Sequence, residues 1–125
     1  EEMIRWVTPV KEFMRTAQQD IEVRGVPIAA GDSVLLSYPS GNRDEDVFTE
    51  PFRFDVGRDP NRHVAFGYGV PFCLGAALAR MEVNSFFSAL LPRLKSIALT
   101  GTPEHTATIF VGGLKPLPIR HRLSL

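Results

Sequence analysis

A single cysteine excludes any internal disulfide framework and says little about redox compartment. Charge of one sign is also missing. The 14 Lys and Arg are matched by 14 Asp and Glu, and a formal net charge of zero gives no case for nucleic acid as a partner. No apolar run approaches the roughly 20 residues needed to span a bilayer. Repeats, low-complexity tracts and linkers are absent. What remains is the composition of one domain, long enough at 125 residues for a modest core.

The one cysteine stands in the most informative stretch of the chain, Phe66-Gly67-Tyr68-Gly69-Val70-Pro71-Phe72-Cys73-Leu74-Gly75-Ala76-Ala77-Leu78-Ala79. An alanine-rich helical run begins directly after it. Thiols set at a helix start face unpaired backbone N–H groups and the positive end of the dipole, and thiolate is the form that ligates metal. Gly67 and Gly69 suit a tight, close-approaching backbone before the sulfur, and Gly75 leaves room for something large and flat against the helix start. A cysteine without these glycines reads as a small buried hydrophobe.

Patterning along the chain predicts many short elements and one long one. Residues 1–6 read as the end of a helix stopped near Pro9. Residues 13–16, 20–24, 26–28 and 33–36 read as short strands, with turns at Gly25 and Gly31-Asp32. Residues 39–62, rich in Pro, Gly, Asn, Asp and Arg, read as a long irregular connection, a feature that is often functional. The run from Leu74 to about Leu91 reads as a helix, ended or kinked by Pro92. Its apolar residues, among them Leu78, Met81, Phe86 and Leu90, cover most faces, which suits a helix buried inside something larger. Short strands are expected at 96–99, 108–111 and 119–122, with Gly112-Gly113 at a hairpin tip.

The cysteine stretch resembles the heme-binding loop of the cytochromes P-450. Phe66, Gly67, Gly69, Cys73, Gly75, Leu78 and Ala79 match that family's pattern. Glu2-Met3-Ile4-Arg5 resembles its Glu-x-x-Arg motif, and Asn42-Arg43-Asp44-Glu45 and Pro51-Phe52-Arg53-Phe54-Asp55-Val56-Gly57-Arg58 resemble the irregular segment that follows. The resemblance implies the C-terminal part of an α+β, mainly α, fold. Residues 1–125 would be the heme-binding portion, with the N-terminal two-thirds of the domain absent. It implies heme b (iron protoporphyrin IX) as cofactor, with Cys73 as proximal and catalytic ligand; a thiolate ligand favours O–O cleavage.

Other roles follow from the same resemblance. Glu2 and Arg5 share a helix face and would lock the irregular segment through a third arginine, Arg58 or Arg53. Arg15 and His63 would hold the heme propionates. Phe66 would pack near the sulfur, while Pro71 stands where the family often carries a propionate-binding His or Arg. Val10, Phe13, Met14, Phe110 and Val111 would line a substrate pocket suited to a lipid, sterol or terpenoid, with Lys11 and Glu12 turned away. Arg58, Arg62, Arg80 and Lys95 would form a basic patch for an acidic electron donor. The loop wording resembles soluble bacterial members, which implies a ferredoxin-type partner and a cytoplasmic location. Three functions stay open: a monooxygenase, a peroxide-using relative, and a non-catalytic fragment that binds heme weakly or self-associates.

Overall fold

The first helix ends where its sequence cannot continue it. The computed structural model, which describes residues 1–70 and 72–124, places α1 at Glu2–Val7. Thr8 caps it in the left-handed region (φ 40°), its N–H bonded to the Ile4 carbonyl at 2.9 Å. Its hydroxyl donates to the Arg5 carbonyl at 2.6 Å and accepts from Asn42 Nδ2 at 2.9 Å. Those bonds offset a conformation that is strained for a β-branched residue. Pro9 then supplies no N–H to extend the helix.

The chain next builds one hairpin inside another. β1 (Glu12–Thr16) pairs antiparallel with β4 (Ser33–Ser37), with Phe13 opposite Leu36 and Arg15 opposite Val34. Between them, β2 (Ile21–Val23) pairs with β3 (Val26–Ile28). Arg24 (φ 49°) and Gly25 (φ 81°) join these two. Positive φ at both central residues matches the twist of the flanking strands. Pro27 is tolerated because a two-stranded sheet is all edge.

A short turn of helix, α2 (Tyr38–Gly41), opens the irregular stretch expected over 39–62. Among the described residues, no regular element follows it until α3, Ala76–Leu90. α3 starts two residues later than the pattern indicates, because a turn bonding the Ala76 N–H to the Cys73 carbonyl at 3.2 Å precedes it. After Pro92, β5 (Leu94–Leu99) pairs antiparallel with β6 (Ile119–Leu123).

One expectation fails in the connection between β5 and β6. Residues 108–111 form no strand; only Val111 makes a bridge, to Val10. His105 pairs with Leu114, and the Thr106 N–H bonds to the Gly113 carbonyl at 2.9 Å. The turn therefore lies between those positions, and Gly112-Gly113 sit on its returning arm. The backbone of 110–112 bonds to Pro9 and Lys11 instead of to a partner strand, at 2.7 Å in both bonds.

Among the described residues, the buried centre is as polar as it is apolar. Tyr38, Phe48, Ala65 and Ala76 are its buried hydrophobic side chains, and Glu2, Arg5, Thr8 and Asn42 are buried with them. α3 leaves Leu78, Met81 and Phe86 exposed.

Candidate functional site

Cys73 is reached by a chain of backbone bonds that begins in the polar core. The Asn42 side chain is fully buried; its Oδ1 accepts the Val64 N–H at 2.7 Å. The Val64 carbonyl accepts the Gly67 N–H at 2.8 Å, and the Phe66 carbonyl accepts the Cys73 N–H at 2.8 Å. Gly67 (φ 82°) and Gly69 (φ 71°) take the left-handed conformation that lets the loop double back. Gly75 caps α3 at an ordinary φ of −83°. A Cβ there would lie 3.8 Å from the Cys73 Sγ, so the glycine keeps the space beside the sulfur clear.

The exposed thiol opens onto a cavity of about 430 Å³. Ile4, Pro9, Val10, Phe13 and Tyr38 wall one part of it, Ala65, Phe66 and Gly67 another, and Ala79 and Val83 of α3 a third. Every side chain in that wall other than Cys73 and Tyr38 is apolar. A neighbouring groove of about 310 Å³ is lined by Glu12, Phe13, Met14, Leu35, Ile109 and Phe110. Phe13 thus borders both spaces, and Val111 is tied to the first through its bridge to Val10. Lys11 turns away, its ammonium donating to the Val7 carbonyl at 3.1 Å, whereas Glu12 lines the groove.

Glu2 and Arg5 form the frame behind this cavity. Arg5 has no exposed surface and uses all five of its N–H groups. Nε and Nη2 each meet a Glu2 oxygen at 2.7 Å. Nη1 reaches the carbonyls of Asn42 and Pro51 at 2.7 and 3.0 Å, and Nη2 also reaches that of Arg53 at 3.2 Å. Glu2 further accepts the Asp55 N–H at 2.9 Å and Asn61 Nδ2 at 3.0 Å. Of the two candidate third arginines, Arg58 reaches Glu2, at 3.4 Å. Arg53 faces outward to Glu50 at 2.9 Å. The Arg5 fork holds the Glu2 carboxyl down at about 2, against the opposing effect of burial and with help from the Asp55 N–H.

Other expected residues stand elsewhere. Arg15 is on β1, its Nη1 bonded to the Met14 carbonyl at 2.9 Å and its guanidinium over the Phe13 ring at 5.6 Å, outside the cavity wall. His63 is fully engaged. Its Nδ1 accepts the Ala65 N–H at 3.3 Å, so Nε2 carries the hydrogen that faces Glu1 at 2.6 Å. Of the four cations expected in a basic patch, Arg58 folds into the frame and Arg80 pairs with Glu1 at 2.5 Å, while Arg62 and Lys95 are exposed. Pro71 lies outside the described residues. Thr8 carried no signal beyond its place before Pro9, and Asn42 and Asn61 stand in a polar stretch where such residues read as turn residues, so no buried role was assigned to any of the three.

The donor set fits a broad, flat, apolar group held by one protein sulfur. Among the described residues no cluster of three or more His, Cys, Asp or Glu could hold an ion by itself. A lone sulfur at the wall of an apolar cavity, with a glycine clearing the space beside it, suits a metal whose other ligands come from a macrocycle.

Comparison with known proteins agrees with this geometry. The chain is 57% identical over 120 residues to cytochrome P450-terp from a Pseudomonas species, a match that covers 96% of this chain and 28% of that protein. It is 46% identical over 120 residues to the methyl-branched lipid omega-hydroxylase of Mycobacterium tuberculosis H37Rv, covering 95% and 28%. The crystal structure of CYP108D1 from Novosphingobium aromaticivorans superposes with a TM-score of 0.93 at 48% identity, covering 99% of this chain and 30% of that one. The chain spans about 28% of the length of these curated relatives. With the cytochrome P450 family model matching residues 1–122, the chain belongs to the cytochrome P450 family.

Proposed function

We propose that this chain is the proximal, C-terminal heme-binding portion of a heme-thiolate monooxygenase, with Cys73 as the protein's ligand to iron. One observation carries the reading: the Cys73 sulfur, fixed through its own N–H to Phe66, stands in the wall of an otherwise almost wholly apolar cavity. Heme b, when bound, supplies the activation of oxygen, one atom of which enters the substrate. Phe66, Gly67 and Ala65 give the exposed sulfur an apolar surround, which helps set its electronic environment once heme covers it. Arg15 holds a propionate once its fork leaves the Met14 carbonyl, a charged acceptor being the stronger partner. Glu2, Arg5 and Arg58 hold the frame.

Val10 and Phe13, with Met14, Phe110 and Val111 beside them, give the substrate an apolar border. That border, and a relative named as a lipid hydroxylase, support an apolar, lipid-like substrate. Electrons come from a ferredoxin-type protein in the cytoplasm; Arg62 and Lys95, both exposed, are the cations left to meet it. No helix among the described residues is long and apolar enough to cross a membrane.

A second reading applies to the isolated chain. The exposed apolar residues of α3 favour a portion that has no catalysis of its own without further polypeptide. A reduced carbon-monoxide difference spectrum separates the readings. The whole protein carrying this chain should give a strongly red-shifted, thiolate-type Soret band, and Cys73→Ser should lose it. The same band in both proteins would remove Cys73 as the ligand. No such band from the heme-supplemented 125-residue chain is the result expected of the second reading.

A further inference from the structure

The Glu1 carboxylate is held by two side chains from distant parts of the chain. Arg80 donates to it through Nε at 2.5 Å and Nη2 at 3.2 Å, and His63 Nε2 at 2.6 Å. Both partners also contact the ring of Phe66. The Arg80 guanidinium lies 4.7 Å from its centroid, and the His63 ring lies 5.9 Å away at an interplanar angle of 54°. Phe66 in turn lines the cavity beside Cys73, and its carbonyl takes the Cys73 N–H. The start of α1, the segment before the cysteine loop and the first turns of α3 thus meet around one aromatic ring. None of these contacts belongs to the Glu2–Arg5 frame.

The Arg80 and Glu1 side chains are 36% and 42% exposed, so the pair adds little to global stability. Its placement has a different consequence. A guanidinium over an aromatic face attracts the ring, and two bonds to one carboxylate fix the plane of the guanidinium. The pair carries no net charge, so its influence on the sulfur runs through the position of the ring rather than through a field. We propose that Arg80, oriented by Glu1, is a positioning residue that seats the Phe66 ring against the Cys73 sulfur and so tunes the ligand's surroundings. This rests on the reading of Cys73 as the heme ligand.

The test uses the heme-loaded whole protein. The double variant Glu1→Gln/Arg80→Gln removes the pair with no change in net charge. Its midpoint potential should move to more positive values, because a loosened ring admits water that donates to the sulfur and draws electron density from the iron. Its thermal midpoint should barely change. In a Phe66→Leu background the same double substitution should leave the potential where Phe66→Leu alone sets it. An unchanged potential, or a shift of equal size without Phe66, would overturn the inference. If the double variant does not fold, Arg80→Lys takes its place: it keeps the charge, loses the fork and should shift the potential in the same direction by less. A wild type without the thiolate-type band would overturn the ligand reading and this inference together. A wild type with that band and an unresponsive variant would overturn this inference alone.

Discussion

Arg5 and Arg53 stand in similar local sequence, each three residues after a glutamate, yet they differ most in energetic weight. Arg5 is wholly buried and satisfies one carboxylate and three carbonyls, whereas the Arg53–Glu50 pair is 63% exposed on both sides. Arg5→Met should destabilise the fold by about 3–5 kcal/mol, since it leaves the Glu2 charge buried with two neutral donors, from Asp55 and Asn61, and only the long contact of Arg58 as a cation. Arg53→Ala should cost no more than about 0.5 kcal/mol. Urea unfolding of the two variants checks the contrast, and equal losses would refute it. Glu2 also sets an acid limit. Its folded value of about 2 lies below the ordinary 4.5, so the unfolded chain takes up protons first as pH falls. The stability it contributes is complete above pH 4.5 and is lost progressively down to about pH 2. In Glu2→Gln the dependence over that window should be weaker. Glu1, held at about 2 chiefly by Arg80, unloads over the same range with a smaller effect because it is more exposed.

At the scale of elements, the cysteine loop depends on backbone rather than on side-chain packing. Gly69 sits at φ 71° with open space where a Cβ would be, so Gly69→Ala pays only for its backbone conformation, about 1–2 kcal/mol. Gly75 is at φ −83°, and Gly75→Ala should leave stability within about 0.5 kcal/mol while setting a methyl in van der Waals contact with Sγ, 3.8 Å away. Thermal melts should separate the two; heme affinity should fall in both, through a displaced loop in the first and a narrowed approach in the second. These glycines were legible because their spacing around one cysteine is specific. The strands of the nested hairpins were legible too, since alternation and the Arg24-Gly25 turn are local signals. The arm over 108–113 was not. Its backbone bonds go to Pro9 and Lys11, about a hundred positions earlier, and no local pattern encodes such a partner. The partner of His63 was hidden for a related reason: Glu1 lies 62 positions away. The choice of Arg58 over Arg53 likewise needed the path of the irregular segment, which carries no periodicity.

For the molecule as a whole, the balance of buried and exposed groups decides how it behaves. Four buried apolar side chains, two of them alanines, make a thin core, and the buried polar cluster beside them adds specificity more than driving force. Leu78, Met81 and Phe86 lie on α3 at spacings that leave apolar surface on more than one side of the helix. A net charge of zero offers no repulsion to keep such surfaces apart. The 125-residue chain studied alone should therefore self-associate, with a sedimentation coefficient that rises with concentration and with strong binding of a hydrophobic dye. Leu78→Lys/Met81→Lys should return it toward a monomer by adding two like charges to the exposed face. On the proposed reading of the chain as one portion of a longer protein, the same pair of substitutions in that protein should destabilise it, because a covered helix face would bury the new charges without partners. A monomeric wild-type chain that binds no dye would show that the exposed face is tolerated, and an unaffected whole protein would show that nothing packs on it.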